Sequence, residues 1–173
     1  MTEKKIILDS GMIAARVGEL GHEITRDYAD GNLLLVGVLT GAFIFTADLA
    51  RQIQLPLEIS FIKIASYGEK TLSSGNIELV TDIETSVSGR DLLIVEDIVD
   101  TGNSLAWLKN HLALKNPRSL KFCSLIDKSE RRTREVTIDY TGFALSRGFL
   151  VGYGLDYGGQ YRQLPAVYEL VDP

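Results

Sequence analysis

The chain has 173 residues, of which 45% are hydrophobic and 24% are charged, a composition that fits one globular domain and excludes wholesale disorder. Its 18 Lys and Arg residues against 23 Asp and Glu residues give a net charge of −5, which argues against nucleic-acid binding through a dominant basic surface. A single cysteine excludes an intrachain disulfide, and two histidines disfavour a histidine-rich metal site.

The same sequence argues against a membrane protein. No apolar segment approaches the ~20 residues that a membrane-spanning helix requires, and the amino terminus, Met-Thr-Glu-Lys-Lys, lacks the pattern of a signal peptide. We therefore expect a soluble, cytoplasmic protein without a membrane or nucleic-acid partner. No internal repeat or break in composition divides the chain, so we predict one domain over residues 1–173.

The first half of the chain alternates helix and strand patterns. Ser10 is expected to cap a helix in which apolar residues recur at spacings of three and four, and Gly31 lies where it ends. The nearly unbroken apolar run over Leu33–Leu39 is typical of a strand buried on both faces of a parallel sheet. The next predicted elements are a helix over residues 43–53 and a strand over residues 57–65.

Residues 66–89 interrupt this alternation. They carry clusters of Gly, Ser and Thr around a short strand pattern, and we interpret them as a mobile hairpin. The predicted elements beyond them are a strand over residues 92–95, a helix over 104–114, and strands over 120–126 and 167–171. Strand–loop–helix units in series predict an α/β fold with a mainly parallel central sheet flanked by helices. Ligands of such sheets bind beyond the carboxyl ends of the strands.

The most informative segment begins at Leu92 and ends at Ser104. Four apolar residues form a buried strand, Glu96 and Asp97 lie at its tip, and Asp100 follows at the mouth of a loop. The next residues, Thr-Gly-Asn-Ser, open a helix, whose backbone N–H groups and positive dipole end suit a phosphate. Carboxylates beside such a cradle suit sugar hydroxyls, a divalent cation or proton transfer.

Five motifs in order resemble those of type I phosphoribosyltransferases, most closely the hypoxanthine–guanine branch. Residues 95–102, Val-Glu-Asp-Ile-Val-Asp-Thr-Gly, resemble the family's phosphoribosyl-pyrophosphate motif. Residues 35–42 resemble its pyrophosphate loop, residues 66–68 the Ser-Tyr of its mobile active-site loop, residues 125–128 the strand that ends in the purine-contacting lysine, and residues 149–157 with Arg162 the purine-pocket segment. Competing glycine signatures fail, because a Gly-Lys-Ser/Thr sequence is absent and the glycines at 152 and 154 do not open a helix.

The resemblance implies both a fold and an activity. The fold is that of type I phosphoribosyltransferases, with a small hood formed by the terminal segments and a mobile loop over residues 66–89. The activity is a purine salvage reaction that transfers 5-phosphoribosyl from phosphoribosyl pyrophosphate to N9 of hypoxanthine, and of guanine, giving IMP or GMP and pyrophosphate. The resemblance also implies an oxocarbenium-like transition state, Mg²⁺ as cofactor, and a homodimer or homotetramer.

Site residues follow from the matching motif positions. The resemblance makes Asp100 the general acid/base at purine N7, and has Glu96 and Asp97 hold the ribose hydroxyls directly or through Mg²⁺. With these three acids, the implied phosphoribosyl-pyrophosphate site comprises Thr40, Gly41, Ser66, Tyr67, Thr101, Gly102, Asn103, Ser104 and Arg162. The implied purine site comprises Lys128, which donates to the 6-oxo group, Phe149, Leu150 and Asp156, and the metal ligands are Glu96, Asp97 and Asp156.

Two details concern the pyrophosphate loop. Relatives often have a basic residue at the position of Thr40, which is neutral here, so backbone contacts would have to dominate at this point. The family's cis peptide bond at the entrance to this loop would be Leu39–Thr40.

Two alternative functions stay open. One is a related phosphoribosyltransferase that prefers xanthine, guanine or uracil, because base choice depends on few contacts. The other is a nucleotide-sensing, RNA-binding regulator on the same fold. Its basic face could come only from residues 118–134, which hold six basic and two acidic residues, whereas residues 82–100 hold six acidic residues and one basic. We otherwise interpret residues 128–134 as a solvated turn or subunit contact, and Cys123, Trp107, His22 and His111 as structural.

Overall fold

Nine strands and three helices follow one another in residues 3–67 and 76–171, the part of the chain that this computed structural model describes. The strands are β1 (Lys4–Leu8), β2 (Leu33–Leu39), β3 (Glu58–Tyr67), β4 (Asn76–Thr81), β5 (Asp91–Val99), β6 (Ser119–Lys128), β7 (Tyr140–Leu145), β8 (Leu150–Val151) and β9 (Val167–Leu170). The helices are α1 (Ser10–Asp27), α2 (Phe43–Gln52) and α3 (Asn103–Ala113). Within these ranges, no helix is long and apolar enough to cross a membrane.

The strands form two sheets. Six of them lie in the order β4-β3-β2-β5-β6-β7, in which all neighbours run parallel except the antiparallel pair β3–β4. The other three form an antiparallel sheet in the order β1-β9-β8. The prediction of a mainly parallel central sheet with a hood from the terminal segments is therefore confirmed.

Successive side chains of the buried strands belong alternately to two hydrophobic clusters, one on each face of the central sheet. In β2, Leu33 and Leu35 pack in the cluster that contains α1 and α2, whereas Leu34 and Val36 pack in the cluster that contains α3. Successive side chains of a strand point to opposite faces, so an unbroken apolar run fills both clusters at once. With both faces of the sheet covered, polar groups gather at the carboxyl ends of its strands.

Several element boundaries differ from the sequence prediction, among them the start of α1 and the ends of β3, β5 and β6. Ser10 is the first residue of α1 and not its cap; the cap is Asp9, whose carboxylate accepts a hydrogen bond from the backbone N–H of Met12 at 2.8 Å. Strands β5 and β6 extend further than predicted, because pairing with parallel neighbours continues past the apolar runs as far as Val99 and Lys128. Strand β1 was not predicted at all, and its partner β9 is distant in sequence.

The predicted mobile hairpin lies only partly within the described chain. Strands β3 and β4 pair antiparallel, with Ser66 opposite Ile77 and Tyr67 opposite Asn76. Residues 68–75 and the side chains of Ser66 and Tyr67 lie outside the described residues, so the mobility of this segment stays a prediction.

Cys123 lies in the core of β6. It is fully buried, and burial raises the pKa of its thiol. A thiol with a raised pKa is a poor nucleophile, which agrees with the structural interpretation of this residue.

Candidate active site

Asp100 and Lys128 meet where two neighbouring strands end. Asp100 follows β5 directly and Lys128 is the final residue of β6, which is parallel to β5. The Lys128 Nζ lies 3.7 Å from Asp100 Oδ2, and Arg131 Nη1 lies 3.6 Å from the same oxygen. Asp100 Oδ1 is buried and has no hydrogen-bond partner among the described residues. One carboxylate oxygen therefore faces two cations, and the other is buried without a hydrogen-bond partner among the described residues.

The loop after Asp100 forms a small cavity at the amino end of α3, with both polar and apolar lining residues. Gly102 has φ +85°, in the left-handed region that favours glycine, and a Cβ there would lie 2.7 Å from the Arg134 carbonyl oxygen. The cavity has a volume of about 110 Å³, and Glu96, Thr101 and Ser104 are among its lining residues. A helix amino terminus beside a cavity of this kind suits a phosphate group.

Glu96 is buried and the adjacent Asp97 is half-buried, so two acidic groups lie together at the end of β5. Burial raises the pKa of Glu96 well above its ordinary value, and the charge of Asp97 adds to this effect. Burial also raises the pKa of Asp97 to about 6, against the opposing effects of a backbone hydrogen bond from Ile98 and the charge of Arg162. Such an acid pair favours a ligand that brings hydrogen-bond donors or positive charge, such as sugar hydroxyls or a divalent cation.

The loop after β2 packs tightly against Asp97. The Leu39–Thr40 peptide bond is cis, as the resemblance implied. A Cβ on Gly41 would overlap the Asp97 carboxylate, and a Cβ on Gly154 would overlap the Gly41 carbonyl oxygen. Only residues without side chains fit at these two positions, and the backbone of the loop therefore lies directly against β5 and the segment after β8.

Arg162 joins Asp156 to the same region. Its Nη1 donates to the Gly154 carbonyl at 2.6 Å, and its Nη2 lies 2.7 Å from Asp156 Oδ1. The charges of Arg162 and Asp156 both act on the Asp97 carboxyl, with opposite effects on its pKa. In residues 3–67 and 76–171, no group of three or more His, Cys, Asp or Glu side chains is close enough to hold a metal without other ligands.

The two remaining purine-site residues belong to the hood. Phe149 is 41% exposed, and its ring meets the Tyr157 ring edge-to-face with centroids 5.2 Å apart. Leu150 is buried in β8, opposite Glu169 of β9. These residues therefore approach the site from the second sheet, whereas Lys128 approaches from the central one.

The sequence interpretation missed a set of contacts from residues 131–134. Arg132 Nε donates to the Asp100 carbonyl at 2.9 Å, and the backbone N–H groups of Thr133 and Arg134 donate to the Thr101 carbonyl at 3.0 and 3.1 Å. Arg132 departs from the interpretation of this stretch as a solvated turn, because its side chain is only 20% exposed, whereas Thr133 and Arg134 are exposed. The cluster of basic residues was visible in the sequence, but no periodicity indicates which of them points inward.

Comparison with known proteins gives one consistent family. A family model described as the phosphoribosyl transferase domain matches residues 3–158. A Mycobacterium avium hypoxanthine-guanine phosphoribosyltransferase is 45% identical over 176 residues, covering 98% of this chain and 86% of the relative. A Salmonella typhimurium hypoxanthine phosphoribosyltransferase is 40% identical over 169 residues, covering 96% and 95%.

Solved structures agree with the sequence comparison. The crystal structure of a Bacillus anthracis hypoxanthine-guanine phosphoribosyltransferase superposes with a TM-score of 0.93 at 37% identity, covering 99% of this chain and 100% of the other. A Staphylococcus aureus hypoxanthine phosphoribosyltransferase gives a TM-score of 0.92 at 35% identity, covering 96% and 91%.

Proposed function

The chain belongs to the phosphoribosyltransferase family, with hypoxanthine and hypoxanthine-guanine enzymes as its relatives, and on this premise we propose that it is a purine salvage enzyme. It transfers 5-phosphoribosyl from phosphoribosyl pyrophosphate to N9 of hypoxanthine, with guanine as a second base. The products are IMP or GMP and pyrophosphate. The observation that carries the proposal is Asp100, a carboxylate with an unpartnered oxygen beside a phosphate-sized cavity at a helix amino terminus.

Proton transfer at the base is the proposed role of Asp100. As N9 bonds to C1′ and the bond from C1′ to pyrophosphate breaks, the base becomes more acidic and loses its N7 proton to Asp100 Oδ1. Lys128 Nζ, 3.7 Å from the other Asp100 oxygen, donates to the 6-oxo group. An ammonium group can only donate, so the amino group of adenine finds no acceptor there, which supports a preference for 6-oxopurines. Phe149 offers an exposed ring face on which the base can stack, with Leu150 at the ring edge.

The sugar phosphate is proposed to bind across the ends of β2 and β5. Glu96 and Asp97 accept hydrogen bonds from the ribose 2′ and 3′ hydroxyls, which compensates for the burial of Glu96 and the partial burial of Asp97. The 5′-phosphate binds the backbone N–H groups and hydroxyls of Thr101, Gly102, Asn103 and Ser104. Pyrophosphate binds the backbone at Thr40 and Gly41 together with Arg162.

Mg²⁺ is the proposed cofactor, and the acidic residues present fit it. Glu96, Asp97 and Asp156 supply hard oxygen donors, and the substrate phosphates would complete the octahedral shell that Mg²⁺ requires. When bound, Mg²⁺ neutralises charge on the departing pyrophosphate.

The remaining features of the enzyme are proposed from the family. Residues 1–173 form one phosphoribosyltransferase domain, and residues 66–89 act as a mobile loop whose Ser66 and Tyr67 close over phosphoribosyl pyrophosphate. Such closure would keep water from an oxocarbenium-like centre. The quaternary structure is a homodimer or homotetramer.

The test is a steady-state assay with phosphoribosyl pyrophosphate, Mg²⁺ and a panel of hypoxanthine, guanine, xanthine, adenine and uracil. We expect the highest kcat/KM for hypoxanthine or guanine, negligible turnover of adenine, and loss of turnover when EDTA is in excess over Mg²⁺. Preference for xanthine or uracil would replace the proposed base, and no turnover with any base would reject the proposed activity.

The regulator hypothesis has less support. A basic RNA-binding face would have to include residues 131–134, yet Arg132 and Arg134 are engaged with the Asp100 loop. Their side chains bind carbonyl and amide oxygens of the protein itself. We therefore favour the enzyme over the regulator.

A further inference from the structure

Arg132 lies across the carboxyl ends of two parallel strands. Its Nε donates to the Asp100 carbonyl at 2.9 Å, and its Nη2 donates to the Val99 carbonyl at 3.0 Å, both at the end of β5. The same Nη2 lies 3.3 Å from the Lys128 carbonyl at the end of β6, and it contacts the Asp127 carboxylate. The side chain is only 20% exposed although it belongs to a basic stretch.

These contacts connect two groups that have to act on the same base. In a parallel sheet, the backbone carbonyls that follow the final strand pairing have no further strand to bind. A guanidinium group has five donors in a rigid plane, so it can bridge several such carbonyls at fixed relative positions. Arg132 does this on the backbone of Asp100 and of Lys128, the proposed proton acceptor and the proposed 6-oxo donor.

The loop residues that are proposed to bind the 5′-phosphate are held by a separate set of hydrogen bonds. The backbone N–H groups of Thr133 and Arg134 donate to the Thr101 carbonyl, and Arg134 Nε donates to Asn103 Oδ1 at 3.1 Å. These bonds do not involve the Arg132 side chain. Removing that side chain should therefore disturb the backbone of Asp100 and leave the phosphate cradle largely in place.

We propose that Arg132 is a positioning residue for phosphoribosyl transfer, which fixes Asp100 against Lys128 by bridging the carboxyl ends of β5 and β6. The inference rests on the proposed function, because it assumes that both residues act on the base. Arg132 touches neither substrate in this account and acts only through the backbone of the two residues that do. Misplacement of a catalytic group by about 1 Å can cost about 100-fold in rate, so the expected effect is on kcat.

The experiment compares Arg132→Met and Arg132→Lys with a matched control, Arg118→Met. Arg118 also pairs with a carboxylate of β5, namely that of Asp91 at the opposite end of the strand. At that distance from the site it is expected to affect stability but not kcat. For each variant, kcat, the KM for phosphoribosyl pyrophosphate and the Tm are measured. Arg132→Lys keeps the positive charge beside Asp127 but lacks the rigid planar fork that reaches carbonyls at both strand ends, so it tests the proposal even if Arg132→Met folds poorly.

We expect Arg132→Met to lower kcat about 10- to 100-fold and Arg132→Lys about 10-fold, with the KM for phosphoribosyl pyrophosphate within about twofold of wild type. Arg118→Met should lower the Tm with kcat unchanged. The proposal is overturned if either Arg132 variant folds and keeps kcat within about threefold of wild type, if KM rises as much as kcat falls, or if Arg118→Met loses as much kcat. Absence of turnover in the wild type would instead reject the proposed function itself.

Discussion

The two oxygens of Asp100 have different surroundings. Oδ2 lies within 4 Å of two cationic groups, on Lys128 and Arg131, whereas Oδ1 is buried with no partner in the described part of the chain. A buried polar atom without a partner is unfavourable, so its presence at a strand end argues for a ligand that supplies the missing hydrogen bond. On this basis we propose that Oδ1 is the atom that exchanges a proton with the base.

Asp100→Asn tests that role directly. The amide has the same shape but cannot accept a proton, so we expect kcat to fall about 100-fold or more, the usual size of general acid/base catalysis. The KM for phosphoribosyl pyrophosphate and the Tm should stay close to wild type, as measured by steady-state kinetics and thermal unfolding. A variant with unchanged kcat would rule out proton transfer by this residue.

Gly41 and Thr40 give a second test at the residue scale. A Cβ on Gly41 would overlap the Asp97 carboxylate, so Gly41→Ala must displace either the loop or the acid. We expect the KM for phosphoribosyl pyrophosphate to rise about tenfold or more, because a shift of about 1.4 kcal/mol in binding is enough for that. Thr40→Ala is the control: if only the backbone at this position binds pyrophosphate, its KM should stay within about twofold of wild type. A larger rise for Thr40→Ala would show that the hydroxyl contributes.

Residue-scale prediction from the sequence succeeded where a motif carried the information. The acids at the tip of β5 and the glycine loop were recognisable because strand, acids and helix start are contiguous in the chain. Arg132 was not recognisable, because its partners at Val99 and Asp100 are more than 30 positions away and nothing in its neighbours sets its direction. Contacts of this kind depend on which strands pair, and a single sequence shows that only indirectly.

At the scale of elements, the start of α1 illustrates how one hydrogen bond fixes a boundary. The Asp9 carboxylate accepts from the Met12 N–H, which leaves Ser10 as the first helical residue. Both residue types are good caps, so the sequence alone could not choose between adjacent positions.

Asp9→Ala and Ser10→Ala distinguish the two assignments. Loss of a helix cap typically costs about 1 kcal/mol, so Asp9→Ala should lower the free energy of unfolding by about that amount. Ser10→Ala should change it by less than about 0.5 kcal/mol, the usual range for an exposed position. Urea unfolding at neutral pH measures both, and the reverse order would restore Ser10 as the cap.

Strand prediction was accurate where apolar residues were continuous and inaccurate where pairing alone sustains the strand. β2 was predicted with its observed bounds, Leu33–Leu39, because every residue of that run is at least largely buried. β5 continues through two acids that no hydrophobic pattern would include, since its backbone bonds to neighbours persist there. β1 contains exposed lysines and is held mainly by its pairing with β9.

At the scale of the whole molecule, acidic residues at the two ends of β5 have pKa values shifted in opposite directions. At the carboxyl ends, Glu96 and Asp97 have raised pKa values. At the amino end of β5, hydrogen bonds from the Arg118 guanidinium lower the pKa of Asp91 to about 2, with a further contribution from Ser119. The net charge of −5 conceals this difference between the carboxyls at the two ends of β5.

Asp91 therefore predicts a specific loss of stability in acid. Its pKa is lower in the folded than in the unfolded state, so its contribution is complete above about pH 4 and disappears as the pH falls towards 2. Because Arg118 is half-exposed, water screens its interaction with Asp91, and we expect this contribution to be about 1 kcal/mol. Urea unfolding of the wild type and Asp91→Asn between pH 5 and pH 2 should show the difference between them shrinking with acidification. A difference independent of pH would contradict the assignment.

The pairing of β1 with β9 has a consequence for the order of folding. It joins Lys4 to Leu170, whereas the parallel pairs of the central sheet join residues that are closer in sequence. Closing a longer loop costs more chain entropy, so contacts at large separation tend to form late. β9 also holds β8, which begins at Leu150 beside Phe149. A chain still emerging from the ribosome can thus assemble the central sheet, including the loop after β5, before β9 exists to hold Leu150 and the adjoining Phe149 in place.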